Sequence, residues 1–401
     1  MPEASGQVWM PTREGTTMRD EGPGTSPFAA PHGPVPPGWE DVRRVVAVRL
    51  DNVGDVIMLG PALRALRRTL PDAHVTLLGS NGGSRVAPLL PWVDGVMVER
   101  VVWQDAGGRL PLDPRREMAL VERIAERRFD AALIFTSFSQ SPWPPAYACY
   151  LAGVPVRAAQ AADFGGSVLT HVVPALPREA HQVDRNLHLL RGLGFEDAGH
   201  HLEVDVPAPA RASADHLLGE VGLAPDRPFV AMAAGASCAA RRYPPGRFAE
   251  VGRLLADAGF PVVVVGSANE EELARPILEA NTARTVRSLV GRTDLAELAA
   301  VLARAALVVT NDSGPMHLAD AVARPQVVLF SGTDLESQWR PRRSPVRLLR
   351  RPTGCAPCYR FECPFDLACL DIPAEEVVEH CLALLEQVPD RSGGLCVGSG
   401  S

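Results

Sequence analysis

Leu307-Val-Val-Thr-Asn-Asp-Ser-Gly-Pro-Met-His-Leu-Ala-Asp-Ala-Val322 passes from an apolar run through a polar turn into a second apolar periodicity. Leu307 to Val309 has the composition of a strand buried on both faces, the habit of parallel sheets. Thr310 to Gly314 are turn formers. From Pro315 the spacing of Met316, Leu318, Ala319 and Val322 predicts a helix, and proline suits its first position because the N–H there has no partner to lose. Strand, polar turn and helix N-terminus make the place where α/β folds put anions. The first helical turn has unpaired N–H groups, and the helix dipole favours negative charge. Gly314 lets a ligand approach the backbone, Ser313 adds a hydroxyl, and His317, one turn in, can face the same crevice. The plainer alternative is that Asp312 or Ser313 only caps the helix.

The same alternation continues outward on both sides. Towards the N-terminus, Val45 to Val48 reads as a buried strand and Arg49-Leu-Asp-Asn-Val-Gly-Asp55 as a loop. Val56 to Leu70 reads as a helix with Leu59, Leu63, Leu66 and Leu70 on one face, and His74 to Leu78 as the next strand. This is a βαβ unit, whose crossover is right-handed and whose strands are parallel. Further strands are expected at Ala131 to Phe135 and around Val168 to Val173. Helices are expected at Arg115 to Arg128, Tyr147 to Ala152 and Val183 to Leu193. Asp55 opens the first helix. It is either a plain N-cap, contributing ~1 kcal/mol, or a carboxylate at the C-terminal end of the first strand, where open α/β sheets bind ligands. A helix N-terminus keeps such a carboxylate ionised, as a general base must be.

Val206-Pro-Ala-Pro-Ala210 reads as a linker, after which the pattern restarts. Strands are expected at Phe229 to Ala233, Val262 to Val265 and Gln326 to Phe330. Helices are expected at Gly246 to Ala258, Glu270 to Glu279 and Leu295 to Arg304. Small-residue loops at Gly235 and Gly266 follow two of these strands. Arg241-Arg242 either pairs with phosphate or is a solvated surface pair. The expected class is therefore α/β, with two Rossmann-like domains, residues 44–205 and 206–372, facing across a central cleft. A disordered Pro/Gly-rich tail (1–43), a helix packing back across the junction (373–388) and a loose Gly/Ser-rich end (389–401) flank them.

The 401 residues are 46% hydrophobic, enough for two cores, and the net charge of −7 excludes a general nucleic-acid binder. All 40 basic residues are arginine, so any cation placed on a phosphate is a guanidinium. No apolar run reaches transmembrane length and no signal peptide is read, which sets a cytoplasmic expectation. Cys355, Cys358, Cys363 and Cys369 form a cluster whose spacing is not that of a common zinc ribbon. A metal site and buried free thiols both remain open.

Several segments in this order resemble glycosyltransferase family 9, the bacterial heptosyltransferases of lipopolysaccharide core assembly. Arg49-Leu-Asp-Asn-Val-Gly-Asp-Val56 with Pro61-Ala-Leu-Arg-Ala-Leu66 is similar to the family's N-terminal signature. Leu151-Ala-Gly-Val-Pro-Val-Arg157 is similar to its mid-domain turn, and Asn311-Asp-Ser-Gly-Pro-Met-His-Leu318 to its donor loop. The run ending Cys369-Leu-Asp-Ile372 also resembles relatives. The resemblance covers roughly residues 44 to 385. It implies a GT-B fold and an inverting transfer that uses no metal and no cofactor. It implies a nucleotide-sugar donor, ADP-heptose, on the C-terminal domain. The acceptor, a glycan, glycolipid or small molecule, lies on the N-terminal one, and contact with the membrane is peripheral, at the inner face. Asp55 takes the position of the catalytic base. Gly54, Gly235, Asp312, Ser313, Gly314 and His317 surround the donor, and Glu270 falls where relatives contact the ribose. Arg241 stands where relatives have a phosphate-binding lysine, and Tyr243 where they have tryptophan. An acceptor other than lipopolysaccharide, or a non-catalytic sugar-nucleotide binder, remains compatible with the residues.

Overall fold

The computed structural model describes residues 34–105, 107–280 and 285–387. Of the tail expected at 1–43, residues 1–33 lie outside these residues, as does the end expected at 389–401. The first half forms β1 (Arg44–Arg49), α1 (Val53–Ile57), α2 (Gly60–Thr69), β2 (His74–Gly79), β3 (Gly95–Val98), α3 (Pro114–Glu126), β4 (Ala131–Ile134), α4 (Trp143–Leu151), β5 (Val156–Ala161), β6 (His171–Pro174) and α5 (Gln182–Gly192). Its strands pair in parallel in the order β3-β2-β1-β4-β5-β6. The second half forms α6 (Ala208–Glu220), β7 (Val230–Ala233), α7 (Pro245–Asp257), β8 (Val262–Val265), α8 (Glu271–Glu279), β9 (Val286–Ser288), α9 (Leu295–Arg304), β10 (Leu307–Asn311), α10 (Gly314–Ala321), β11 (Gln326–Leu329), α11 (Glu336–Trp339), β12 (Val346–Leu349) and α12 (Ala374–Leu385). Its sheet, β12-β11-β10-β7-β8-β9, has the same winding read from the opposite edge.

In each sheet the first strand of the half stands at the centre, and the strand order reverses beside it. These switch points, between β1 and β4 and between β7 and β10, are where doubly wound sheets open a crevice at the strands' C-terminal ends. The central strands are buried on both faces, Val45 to Val48 and Leu307 to Asn311 throughout. That burial is why they read as unbroken apolar runs. Helices α1 and α10, which leave the two crevices, pack against each other. One apolar cluster runs through both sheets.

Four strands escaped the sequence reading. β3, β9 and β12 are short and lie toward the sheet edges, where Val96 and Val98 stay exposed. β5 carries two polar residues inside. Arg157 is buried because its Nε donates to Val168 O at 2.6 Å, and Gln160 because it reaches Arg185 O.

Other expectations are corrected. The helix expected over Val56 to Leu70 is two helices, because Pro61 has no N–H to offer the Ile57 carbonyl and the chain restarts at Gly60. The Pro-Ala stretch read as a linker starts α6, with Pro209 in its first turn. Order begins before residue 44. Trp39 is buried edge-on against Phe195, with ring centroids 4.9 Å apart. Helix α12 does not pack back across the junction but lies on α7, β10 and β11 of the second sheet. No helix among the described residues is long and apolar enough to cross a membrane.

Candidate active site

The first sheet contributes a carboxylate cluster held by one arginine. Arg49 ends β1 with its side chain entirely buried. Its Nη2 donates to Asp55 Oδ1 at 2.8 Å and to Ser137 Oγ at 2.8 Å, and its Nε stands 2.9 Å from Asp51 Oδ2. Asp55 lies in the first turn of α1, where its other oxygen accepts from the Asn52 backbone N–H at 3.3 Å. Asn52, not Asp55, is the N-cap; Asp55 is the third residue of the helix and reaches back to the Asn52 N–H while facing the crevice. Asp51 Oδ1 accepts from the amide groups of Gln104 (3.2 Å) and Gln140 (2.5 Å). Burial raises the pKa of Asp51 and Asp55 adds repulsion, against the pull of Arg49.

The second sheet contributes the turn between β10 and α10. Asn311, fully buried, donates to Ala234 O at 2.8 Å and accepts from Tyr243 N at 3.0 Å, so it ties the two loops of the switch point together. Asp312 follows. Its Oδ2 is buried without a hydrogen bond and lies 3.9 Å from Arg241 Nε. Burial pushes its pKa up to about 6, with Arg241 working against the shift and Asp334 and Asp55 adding to it. Ser313 stands at the N-cap position without a capping hydrogen bond from its side chain, whose Oγ lies 3.3 Å from both Asn311 O and Thr310 Oγ1. Gly314 meets Val53 of α1: a Cβ there would lie 3.4 Å from Val53 Cγ1. His317 is buried against Gly54, and burial pushes its pKa down to about 4, so the ring is neutral.

Arg241 is less free than the sequence suggests. Its Nη2 pairs with Asp334 and its Nε donates to Thr333 Oγ1 at 3.1 Å, which leaves Nη1 without a hydrogen bond to a described residue. Burial opposes its charge, but Asp312 and Asp334 hold its proton more firmly than usual. Glu270 folds back so that Oε2 accepts from Ser267 N (2.7 Å) and Ser267 Oγ (2.9 Å). Its Oε1 occupies the space beside Gly235, only 1.6 Å from where a Cβ would be. A cavity of about 580 Å³ is lined by all nine residues singled out in the sequence, Gly54, Asp55, Gly235, Arg241, Glu270, Asp312, Ser313, Gly314 and His317.

Two neighbours of Arg241 do not join them. Arg242 donates to Ala236 O and shapes the loop. Tyr243 is in the core, its hydroxyl donating to Ile372 O at 2.6 Å. The sequence reading missed Arg49, Asp51, Thr333 and Asp334. Only the charge at the end of an apolar strand hinted at Arg49. It also missed Tyr359 to Phe361, which line the same cavity from the cysteine-rich loop. That loop is anchored by Cys358 N and Tyr359 N donating to Gly332 O and Thr333 O, at 3.0 and 2.8 Å. Its four cysteines are free thiols, and among the described residues no three His, Cys, Asp or Glu side chains gather to hold a metal ion.

Two doubly wound domains whose crevices open into one polar cavity define the GT-B class of fold. The family model for glycosyltransferase family 9 (heptosyltransferase) matches residues 118–368, and the chain belongs to that family. It is a glycosyltransferase. Lipopolysaccharide heptosyltransferase 2 of Escherichia coli K12 is 27% identical over 351 residues, which cover 84% of this chain and 96% of that protein. Among solved structures, E. coli ADP-heptose lps heptosyltransferase II superposes with a TM-score of 0.67 at 25% identity, covering 86% of this chain and 99% of that one. The family 9 glycosyltransferase of Veillonella parvula superposes with a TM-score of 0.70 at 20% identity, covering 86% and 98%, and shares the fold.

Proposed function

We propose that this enzyme transfers a heptose from ADP-heptose to a hydroxyl of lipopolysaccharide core, with inversion at the anomeric carbon. Two of the relatives just described are a lipopolysaccharide heptosyltransferase and an ADP-heptose lps heptosyltransferase. The observation that carries the mechanism is a division of labour within one cavity: Asp55 on the first sheet, and the α10 N-terminus with Arg241 on the second.

The donor diphosphate lies over Ser313 and Gly314, where free N–H groups and the helix dipole receive negative charge. Arg241 Nη1 reaches it, while Asp334 and Thr333 hold the guanidinium in place. Glu270 takes the ribose, and Gly235 and Gly54 keep the backbone thin beside the nucleotide and beside His317. The acceptor hydroxyl attacks the anomeric carbon from the side of Asp55. The bond from that carbon to the diphosphate oxygen breaks, ADP departs with the electron pair, and Asp55 takes the hydroxyl proton. Arg241 and the α10 N-terminus stabilise the charge that grows on ADP. Arg49 holds Asp55 by one oxygen, its Nη2 donating to Oδ1 at 2.8 Å. No step uses a metal or a cofactor. On this reading the enzyme works in the cytoplasm, meeting a lipid-borne acceptor at the inner face of the membrane.

The test is incubation with ADP-heptose and a core oligosaccharide lacking its outer heptose, with ADP release and product mass both measured. The expected result is one heptose added per ADP released, through an anomeric bond of opposite configuration. ADP release with no gain in acceptor mass points instead to a hydrolase. Full activity with another nucleotide sugar moves the donor assignment.

A further inference from the structure

The cysteine-rich loop between β12 and α12 reaches the first half of the chain through Tyr359. The Arg178 guanidinium lies between two rings, its Cζ 4.6 Å from the centroid of Tyr359 and 4.8 Å from that of Phe138. The rings are 5.3 Å apart and tilted by 54°. Phe138 stands in the loop after β4, so the stack spans the two halves, and both rings line the main cavity. A guanidinium is drawn to a ring face by the ring's quadrupole. The Arg178 side chain makes no hydrogen bond or ion pair to a described residue, so the rings are what place it. Its backbone is braced from the second half: Arg178 O accepts from Gln338 Nε2 at 2.7 Å. Just beyond, His181 Nε2 lies 3.0 Å from Arg340 O, and Asp184 pairs with Arg342 at 2.8 Å.

Tyr359 has to be held. Its φ of +52° lies in the left-handed region, which a bulky side chain keeps only where its surroundings enforce it. Two contacts do so: the ring in the stack, and the backbone N–H donating to Thr333 O at 2.8 Å. Thr333 in turn holds the donor-site cation. Its Oγ1 accepts from Arg241 Nε at 3.1 Å and donates to Asp334 Oδ2 at 2.9 Å, and Asp334 pairs with Arg241 Nη2. The same loop touches the Arg241 segment again, where Phe361 O accepts from Ala240 N at 3.0 Å. Arg178 is not among the residues lining the main cavity, yet it lies three contacts from the guanidinium that does. We propose that Arg178 is a positioning residue for the donor: by clamping Tyr359 against Phe138 it fixes the Thr333-Asp334 turn and with it the place of Arg241. The assignment rests on the reading of Arg241 as the cation on the donor diphosphate. Without the clamp Tyr359 leaves the left-handed region and its bond to Thr333 O is lost. Arg241 then keeps its charge but not its fixed place, so what the donor loses is preorganisation rather than a contact.

The experiment is titration calorimetry of the full chain with ADP, arranged as a double-mutant cycle between Arg178→Ala and Arg241→Ala. Arg178→Ala and Tyr359→Ala are each expected to bind ADP about fivefold more weakly or worse, the scale of coupling within one network. In the Arg241→Ala background, removing Arg178 should change ADP affinity by less than about twofold, because the residue it positions is gone. Tyr359→Phe keeps the ring and should recover most of the affinity lost in Tyr359→Ala. Arg178→Gln removes the cation and keeps much of the side chain, and it answers the same question if Arg178→Ala does not fold. Wild-type ADP affinity in the Arg178 variants, beside a weakened Arg241→Ala, overturns the clamp and leaves Arg241 in its role. An equal loss in both backgrounds also overturns it, since Arg178 then acts on ADP without Arg241. Tyr359→Phe as weak as Tyr359→Ala overturns it too, by making the hydroxyl the requirement. Arg241→Ala that binds ADP like wild type, or wild type that binds none, overturns the reading of the donor site and the clamp with it.

Discussion

Gly54 and His317 meet where the two sheets come together: a Cβ on Gly54 would stand 2.6 Å from His317 Cδ2. Gly54 sits in α1 and His317 in α10, so their contact sets how closely the carboxylate end of one crevice approaches the anion end of the other. Gly54→Ala is expected to force α1 away from α10, with overpacking costs of about 1–3 kcal/mol. Transfer should fall at least tenfold. Combining it with His317→Ala should restore part of both losses. A double-mutant cycle on thermal midpoint and turnover reads this, and strict additivity of the two changes would argue against the contact.

Asp55→Asn keeps an oxygen for Arg49 and loses only the long 3.3 Å acceptance from Asn52 N, so the fold should persist. Loss of the base should lower turnover by about 10²–10⁴-fold, while ADP affinity stays within twofold. Turnover close to wild type in this variant removes Asp55 from the mechanism.

Arg49 is a fully buried cation between Asp51 and Asp55. Arg49→Met leaves two carboxylates facing each other and should cost about 3–5 kcal/mol, the range for breaking a buried ion pair. Arg49→Lys keeps the charge but cannot reach Asp51, Asp55 and Ser137 together, and should fall between. Urea denaturation measures both. A loss below ~1 kcal/mol, the range of an exposed pair, would mean that the network does not hold the crevice.

Arg241→Ala should weaken ADP binding tenfold or more, roughly 1.4 kcal/mol. It also uncovers Asp312 and Asp334, so part of the damage is general. Arg241→Lys separates the two effects by keeping the charge, and should recover most ADP affinity. Calorimetry with ADP checks both variants, and equal losses in the two would make the planar guanidinium itself the requirement.

Stability should fall as pH drops from 6.5 towards 4. Burial pushes His317 and His181 down to about 4 from an ordinary 6.5. Between those values the unfolded chain binds protons that the native one refuses, so these groups stabilise the fold above the window and lose that contribution below it. Asp312, raised to about 6 from 3.8, has the opposite sign: the native state binds its proton first, and its share of stability grows as pH falls. Asp51, raised by burial, works with Asp312, while Asp184, which burial would raise but Arg342 holds low, works with the histidines, whose two shifts set the sign. The urea midpoint should therefore decrease across the window, and His181→Asn with His317→Asn should flatten the slope. An unchanged slope in the double variant would mean that the rings already protonate in the folded state.

What could be read from the residues alone was what local pattern encodes. Leu307 to Val309 and Val45 to Val48 announce buried parallel strands because both faces of such strands are covered, and the Ser313-Gly314-Pro315 turn announces a helix N-terminus. The alternation of these units, repeated on either side of Val206, was enough for two doubly wound halves. The resemblance then marked Asp55, Arg241 and Glu270, and all three line one cavity. Short strands toward the sheet edges such as β3 and β12 were silent, since three or four half-exposed residues carry no periodicity.

The sequence by itself determined the class of fold, the two crevices and the residues in the turns that open them, such as Asp55 and Ser313, because each depends on neighbours within one turn or one strand. Only the tertiary structure decided which charges are committed. Arg241 is held by Asp334, 93 residues away, Arg49 binds Ser137 as well as Asp55, and Asp51 accepts from Gln104 and Gln140. Those partners lie on different strands and loops, brought together where sheet order reverses. A charge's effect depends on distance in space and on burial, neither of which is written in the spacing of residues along the chain.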